Sequence, residues 1–535
     1  MWPCLSSTLL PCIASATTRR SLYACTARTV DRSERSWNAE AKAALKKEWY
    51  RLRACGEKGC WDESNPRERS DVESEARKRG QVAHFGIVFD ICVEKNHHLP
   101  AGSPGRKFKG RAVYQGNNVR DQDGNWAIFQ DLASCPSTMA ASKVADYYSL
   151  SPGHDGEQAD AEMAYTQAEF HGPTTWVGIP KEQWPSNWYD AKGKPKYRFP
   201  VCKLMKALYG HPDSGGLWEK HCDAHLQSIG FKEIASWRSV YFHDELRVLL
   251  VVYVDDFKMA GPKKGLCEAW RRIRLKIKVE DPTPFGLFLG CRHEIGEVRL
   301  GTNGPKVRTM TYNVESYLQK SLDLYISLLP QGARLKLVPT PFLTTPCGDD
   351  INAPFTTGPS LTCPWCRGCF PESLFSKGSA QSKRTRHAAC GSSYPACADE
   401  IADPPTRGAL ADKAASVLKQ VLYAARYARF DLLCAVSRLA QKITKWTTDC
   451  DLALHRLMSY IHSTLQYRMI GYVGDTLCRV RVHVYVDADF AGDPSTKRST
   501  TGVHLCLRGS STYFPVNGQS KRQACVRMLQ RYLIV

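Results

Sequence analysis

Two adjacent aspartates, Asp255 and Asp256, end a strongly apolar stretch near the middle of the chain. The residues before them, 249–254, read LLVVYV, which is typical of a buried strand. Burying a carboxylate without a partner costs free energy, so this ending indicates either a polar turn or a cation site. Neighbouring side chains on a strand point to opposite faces. We therefore expect only one of the two acids to face a given site, projected there by a turn.

A second acidic segment could complete a cation site. Residues 158–165 read QADAEMAY and place Asp160 ahead of an aromatic residue, Tyr165. Taken alone, Asp160 would more readily be a helix cap or a surface acid. Carboxylates from two separate segments, however, suit hard divalent cations. Nucleotidyl transfer uses two such cations ~4 Å apart, so Asp160, Asp255 and Asp256 together predict a two-metal site for that chemistry.

Composition and charge restrict the class of protein. The chain has 535 residues, of which 43% are hydrophobic, as expected for a globular protein of several domains. Its net charge of +20 suits a polyanionic partner such as nucleic acid, although solvated charged faces on a basic protein would give the same excess. Because no apolar stretch approaches the ~20 residues of a membrane span, we expect no membrane partner.

The coarse pattern predicts the elements that must position these residues. Residues 37–61 show the spacing of an amphipathic helix, and residues 85–93 and 111–114 read as strands. The block 199–242 is mostly helical in pattern. Residues 410–465 show long helical periodicity, and residues 480–507 return to strands.

The acidic segments lie within a longer series of motifs. The segments QADAEMAYTQAEF at 158–170 and YVDD at 253–256 are similar to the two catalytic motifs of reverse transcriptases from copia-type long-terminal-repeat retrotransposons. By this resemblance Asp160, Asp255 and Asp256 are the catalytic metal ligands. Tyr165 is then the aromatic gate that excludes a ribose 2′ hydroxyl.

Two further segments resemble the nucleotide-contacting parts of the same family. The segment KGRAV at 109–113 is similar to the family's fingers, which implies that Lys109 and Arg111 contact the incoming triphosphate. The segment KLMKALYG at 203–210, with Trp218 after it, is similar to the template- and nucleotide-contacting motif, which implies roles for Tyr209 and Gly210.

One segment departs from the family pattern. After Gly210 the family usually has a basic-Gln-Ala-Pro-Arg type of sequence, whereas this chain reads HPDSGGL at 211–217. Asp213 stands where the family has Gln, and Gly216 stands where it has a basic residue. The departure affects the template contact and leaves the metal ligands untouched.

The C-terminal part resembles the start of the family's RNase H domain. The segment VYVDADFAGD at 484–493, followed by RSTTG at 498–502, implies that Asp487 is a vestigial RNase H metal ligand. The sequence contains no acid after Asp493. A two-metal nuclease needs further carboxylates, so we expect RNase H activity to be lost.

The resemblance implies an α+β fold: a right-hand polymerase with fingers, palm and thumb at 37–343, followed by a truncated RNase H-like α/β module at 476–535. Between them we expect a Pro/Ser/Cys-rich linker or insertion at 344–405 and a helical connection at 406–475. Residues 1–36 read as a disordered or targeting-like lead-in, since residues 1–30 lack acids and resemble a transit peptide in composition.

The implied function is RNA-directed DNA synthesis with two Mg²⁺ or Mn²⁺ ions. The partners would be an RNA or DNA template–primer and deoxynucleoside triphosphates, in a cytoplasmic particle or the nucleus, with the oligomeric state left open. The alternative is a catalytically inactive element remnant that binds nucleic acid through its basic surface. A third hypothesis is that the protein was recruited from such an element for a structural role.

A cysteine cluster in the linker is a weaker metal candidate. Residues 363–369 read CPWCRGC, and His387, Cys390 and Cys397 follow. A structural zinc site needs four ordered ligands, and no second pair occurs at fixed spacing. We therefore favour a cysteine-bearing linker.

Overall fold

The computed structural model describes residues 27–97, 100, 102–129, 136–343, 360–362, 369–371, 406–489 and 498–523. These residues form three large sheets, one short strand pair, and helices packed against the sheets. Residues 1–26 and most of the predicted linker, including its CxxC pair and His387, lie outside the described residues.

The helices are given in chain order. They are α1 (Arg32–Trp37), α2 (Ala39–Arg53), α3 (Arg69–Arg79), α4 (Met139–Ser149), α5 (Ala164–Gln167), α6 (Ser214–Ser228), α7 (Lys263–Ile273), α8 (Glu315–Ser327), α9 (Ala414–Tyr427), α10 (Leu433–Ala440) and α11 (Thr448–Ser463). No helix in the described ranges is long and apolar enough to cross a bilayer.

The strands follow the same order. They are β1 (Ala27–Thr29), β2 (Arg67–Glu68), β3 (Ala83–Lys95), β4 (Lys107–Tyr114), β5 (His154–Asp160), β6 (Thr174–Gly178), β7 (Pro200–Lys203), β8 (Lys232–Glu233), β9 (Val240–His243), β10 (Val248–Tyr253), β11 (Asp256–Pro262), β12 (Thr283–Pro284), β13 (Leu287–Phe288), β14 (Cys291–Arg299), β15 (Lys306–Asn313), β16 (Ser360–Thr362), β17 (Cys369–Pro371), β18 (Met469–Val473), β19 (Arg481–Ala488), β20 (Thr500–Arg508) and β21 (Tyr513–Arg522).

The first sheet has the order β1-β3-β6-β7-β2, and β4 pairs with the other edge of β3. Helix α2 packs across β3 and β4. Asn38 caps α2 by accepting a hydrogen bond from the Ala41 N–H, and the run of Ala, Lys and Glu that follows favours helix. The buried face of α2 carries Trp49, whose indole donates to Asp90 of β3 at 2.7 Å. This contact ties α2 to β3, the strand that pairs with β4.

The second sheet, in the order β12-β5-β11-β10-β9-β8, lies in the middle of the chain. Helices α6 and α7 cover one face, where Leu250 and Phe257 are fully buried. Helix α4 covers the other face through Ala141 and Ala145, which pack with Val251. Because both faces are covered, β10 is apolar along nearly its whole length, which explains why this segment is so conspicuous in the sequence.

The third sheet has the order β13-β14-β15-β18-β21-β20-β19 and joins strands from 287–313 with strands from 469–522. Its central strands share one apolar core with α4, α8 and the helices α9, α10 and α11. One sheet and one core therefore link the segments on the two sides of the predicted linker.

Two predictions differ from the structure, one about where the ordered part begins and one about the type of element. Residues 27–36, assigned to the lead-in, form β1 and most of α1, because Arg28 bridges Glu34 and Glu94 and ties β1 to β3. The block 199–242 contains one helix, α6, and the strands β7, β8 and β9. Alternation in short buried strands is too brief to distinguish from helical spacing by pattern.

Lys143 of α4 is a fully buried cation in the shared core. Its Nζ lies 4.4 Å from the ring centroid of Phe430, 5.3 Å from that of Tyr312 and 5.7 Å from that of Tyr427. Aromatic faces stabilise a cation but do not replace its hydration. Burial accordingly lowers the pKa of Lys143 to about 7.

Lys143→Met is expected to remove a pH dependence of stability. The unfolded lysine keeps a pKa of about 10.4 and so binds more protons than the folded one between about pH 7 and 10. In this window Lys143 makes the free energy of unfolding rise with pH, by up to about 1.4 kcal/mol per unit. Urea unfolding at several pH values should therefore show the variant more stable than the parent at pH 7, with the gap narrowing toward pH 10. A constant gap would refute this, and the exposed Lys263→Met serves as control.

Candidate active site

Three predicted acids meet at the tip of one hairpin. Strands β10 and β11 pair from Leu249–Ala260 to Tyr253–Asp256, so the connecting turn consists of Val254 and Asp255. Strand β5 runs along β11 with Asp160 opposite Asp256. The Ala161 N–H donates to the Asp255 carbonyl at 2.7 Å, which joins the end of β5 to the turn. The register thus brings together carboxylates that are far apart in the sequence.

The turn itself is held in an unfavourable conformation. Val254 has a φ of +59°, which is rare for a β-branched residue and persists only where the surroundings enforce it. The Trp218 indole of α6 donates to the Val254 carbonyl at 2.7 Å. Trp218 is buried against β10, so α6 acts as a fixed support behind the turn.

Trp218→Phe is expected to loosen the turn. Losing the hydrogen bond to Val254 should lower the free energy of unfolding by about 1 kcal/mol and speed amide exchange at Asp255 and Asp256. The matched control is Trp270→Phe, which removes an indole hydrogen bond of 2.8 Å to Glu157 on the same sheet. Both should lose similar stability in urea unfolding. Faster exchange at the turn in both variants, or in neither, would contradict the specific role of Trp218.

An open cavity of about 440 Å³ lies in front of the turn. Asp160 and Asp255 line it, whereas Asp256 does not. Asp256 is partly buried, and its pKa is raised to about 7 by burial, by the charges of Asp160 and Asp255, and by a hydrogen bond with Asp160. The two adjacent aspartates thus differ in exposure: Asp255 is exposed at the tip of the turn, and Asp256 is partly buried beneath it.

The acids match a divalent cation in donor type and charge. Carboxylate oxygens are the ligands that Mg²⁺ and Mn²⁺ take, and a cation would relieve the repulsion that raises the pKa of Asp256. Across the described residues, no group of three or more His, Cys, Asp or Glu side chains is close enough to form a ready metal cluster. The fit therefore rests on the chemistry of Asp160, Asp255 and Asp256.

Basic side chains also line the cavity. Lys109 and Arg111 project from β4, and Lys47 and Arg51 from α2. Burial and the neighbouring charge of Arg111 lower the pKa of Lys109. The cavity thus combines four basic side chains with the acids Asp160 and Asp255, a composition suited to a ligand that carries phosphates.

One of the two predicted tyrosines, Tyr209, lines this cavity, and the other, Tyr165, packs against it. Tyr209 lines it, and its ring lies 4.9 Å from the ring of Tyr165 and 5.1 Å from the Arg111 guanidinium. Gly210 has a φ of +89°, and a Cβ there would lie 2.2 Å from the Tyr114 carbonyl oxygen. Gly210 therefore lets the backbone approach β4 and positions Tyr209 without lining the cavity.

Four further charged lining residues were not predicted: Lys47, Arg51, Glu162 and Glu280. The spacing of Lys47 and Arg51 puts them on one face of the predicted helix, which was an available signal. The same spacing occurs on any solvated helix, however. Glu280 reaches the cavity because its N–H donates to the Asp160 carbonyl at 2.9 Å, a contact without a sequence signature.

The segment that departs from the family pattern is packed into the protein. His211 is buried among the rings of Tyr114, Phe129 and Phe170, with centroids 4.9 to 5.3 Å away. Burial lowers its pKa to about 4. Asp213 is also buried, and its N–H donates to His211 Nδ1 at 3.1 Å. Neither residue lines the cavity.

Asp487 lies in a different place. It is exposed on β19 of the third sheet, opposite Gly502 of β20, whereas the other three aspartates belong to the second sheet. The structure therefore separates Asp487 from the acids of the hairpin tip.

Comparison with known proteins finds matches among Pol polyproteins of plant transposons. The chain is 25% identical over 335 residues to the retrovirus-related Pol polyprotein from transposon RE1 of Arabidopsis thaliana, covering 62% of this chain and 18% of that protein. The RE2 polyprotein of the same plant is 26% identical over 336 residues, again 62% and 18%. The polyprotein from transposon TNT 1-94 of Nicotiana tabacum is 23% identical over 430 residues, 79% of this chain and 26% of that protein.

These matches confirm the resemblance found in the motifs: the homologues of this chain are retrovirus-related Pol polyproteins of copia-type transposons. The chain spans about a fifth to a quarter of the length of these relatives. No protein-family model matches the sequence.

Proposed function

From this homology to a segment of retrotransposon Pol polyproteins, we propose that the chain is an RNA-directed DNA polymerase. The observation that carries the proposal is the cavity that Asp160 and Asp255 share with four basic side chains, with Asp256 beneath them. The substrates would be an RNA or DNA template–primer and deoxynucleoside triphosphates. The fold proposed for it is a right-hand polymerase, in which the second sheet would be the palm and the first sheet the fingers.

The roles of the residues follow from their positions. Asp160 and Asp255 would hold two Mg²⁺ or Mn²⁺ ions, which when bound activate the primer 3′ hydroxyl and steady the leaving pyrophosphate. Asp256 lies under the same site and adds negative charge once its proton is displaced. Lys109 and Arg111 line the same cavity as the acids and would bind the triphosphate oxygens.

The tyrosine pair would act on the sugar of the nucleotide. Tyr209 lines the cavity, and the Tyr165 ring packs against the Tyr209 ring with centroids 4.9 Å apart. An aromatic pair packed in this way beside the metal ligands can exclude a 2′ hydroxyl by contact alone. Tyr165 would therefore set the preference for deoxynucleotides.

The test is primer extension on a poly(rA) template with an oligo(dT) primer, dTTP and Mg²⁺. The folded protein should extend the primer, and extension should stop when the metal is chelated and resume when Mg²⁺ is restored. Binding of the labelled template–primer is measured separately by fluorescence anisotropy. Binding without any extension, with either Mg²⁺ or Mn²⁺, would overturn the polymerase proposal.

One observation favours the second candidate, an inactive remnant that binds nucleic acid. His211 is buried among aromatic rings and Asp213 is buried beside it, in the segment where the family pattern implies a template contact. A chain without that contact could keep its basic surface and lose productive alignment. Salt-dependent binding without extension is the result that this candidate requires.

A further inference from the structure

Strand β19 forms the outer edge of the third sheet. Among the described residues, no strand pairs with its free edge, and all eight of its residues are exposed. Val482, Val484 and Val486 are 66%, 57% and 43% exposed and lie on one face of the strand. A long apolar edge of this kind is a template for pairing with another strand.

The hydrogen-bonding groups at this edge can be assigned. The Asp489 N–H donates to the Thr500 carbonyl of β20 at 3.1 Å, in continuation of the β19–β20 register. Alternation along an antiparallel pair then directs the backbone groups of the odd-numbered residues to β20. The N–H and C=O groups of Val482, Val484 and Val486 therefore point outward.

We propose that β19 binds β19 of a second copy of this chain, antiparallel, about a two-fold axis at Val484. The same residue then faces itself at the axis, and Val482 faces Val486 of the other copy through outward-pointing backbone groups. Arg481 lies opposite Asp487 at both ends of the pairing. An isologous contact must be self-complementary. This register meets the requirement, because opposite charges face each other at both ends and valines face valines between them.

The pairs without hydrogen bonds strengthen this register. In an antiparallel pair such residues have Cα atoms about 4.5 Å apart, closer than the hydrogen-bonded ones. They are the Arg481–Asp487 pairs and the pairs of His483 with Tyr485. Opposite charges and aromatic rings at these positions each favour association.

Other registers are less favourable. A slip by one residue would set Asp487 opposite Val482 and mix the two faces of the strand. A slip by two in one direction would pair Arg481 with Asp489, whose carboxylate already accepts from the Thr500 N–H at 2.5 Å and lies 4.0 Å from Arg438. A slip by two in the other direction would pair Arg481 with the uncharged Tyr485. In the register centred on Val484, Arg481 instead faces Asp487, an aspartate that is exposed and without a described ion pair.

The test measures the mass of the full chain by sedimentation velocity over a concentration series. The parent should approach twice the mass of one chain. Arg481→Asp and Asp487→Arg should each move the midpoint of dimer dissociation to a concentration at least about tenfold higher, because both symmetric pairs become repulsive. The double variant Arg481→Asp/Asp487→Arg should restore the parent's midpoint. Lys264→Asp, an exposed reversal in the first turn of α7, should leave it unchanged.

A second variant tests the backbone part of the proposal. Val484→Pro removes an N–H that points away from β20, so the sheet should fold normally while the dimer is lost. A parent that stays monomeric at all concentrations overturns the proposal. This is the result expected if another segment of the chain covers the free edge of β19. A dimer that persists in the folded proline variant, or a charge swap that fails to restore association, also overturns the proposal.

Discussion

Asp255→Asn should reduce primer extension by about 10²- to 10³-fold and leave template–primer binding nearly unchanged. Asn has the shape of Asp and keeps the backbone of the turn, including the hydrogen bond from the Ala161 N–H to the Asp255 carbonyl. What the variant loses is one negative charge at the cavity. The proposed two-metal chemistry would need that charge, whereas the proposed binding of template–primer would rest mainly on the basic surface.

The matched control is Asp155→Asn on β5, the strand that carries Asp160. Asp155 is exposed, lies 3.6 Å from Arg308, and does not line the cavity. Its variant has the same change in net charge and should extend primers as the parent does. Extension by Asp255→Asn at the parent's rate, with thermal unfolding unchanged, would remove Asp255 from the proposed site.

The second large effect is expected from Lys258→Met, which should lower the free energy of unfolding by about 3–5 kcal/mol. Lys258 and Asp146 are fully buried, with Nζ 2.5 Å from Oδ1. Burial opposes ionisation of both groups, yet Lys258 and His293 hold the pKa of Asp146 at about 2. Asp146 is therefore charged, and removing Lys258 leaves that charge buried without its cation.

The controls separate the ion pair from the loss of a long side chain. Lys263→Met, an exposed lysine at the start of α7, should change stability by less than about 0.5 kcal/mol. The double variant Lys258→Met/Asp146→Asn should recover at least half of the loss, because Asn is neutral and can still accept from the Tyr312 hydroxyl, now 2.9 Å from Asp146. Failure of the double variant to recover stability would show that packing, and not the unpaired charge, causes the effect.

The ion pair also connects the core to the candidate site. Lys258 follows Asp256 by two positions on β11 and so points to the same face of the sheet, toward α4. Lys258 also donates to Ser142 of α4 at 3.0 Å. Burying this pair anchors β11 directly behind the acid beneath the cavity, which is why we expect its loss to affect both stability and extension.

Much of the candidate site could be predicted from local sequence. Asp255 and Asp256 stand out because two acids directly follow an apolar strand within a YVDD motif, and Tyr209 and Gly210 stand out by motif. The structure places Asp160, Asp255, Lys109, Arg111 and Tyr209 around one cavity. Local sequence could not predict two features around these residues. One is the hydrogen bond from the Trp218 indole to the turn, and the other is the pair of basic side chains that α2 adds to the cavity.

Sequence alone determined the identity of the acids, the apolar strand that carries two of them, the helices of 410–465 and the homology to transposon Pol polyproteins. Each of these features depends on residues that are close together in the sequence, through side-chain periodicity or a contiguous motif. Only the tertiary structure decided that Asp160 lies opposite Asp256, that Lys258 meets Asp146, and that β19 keeps a free edge. These depend on pairing between distant segments, where many side chains could serve as partner and burial selects one.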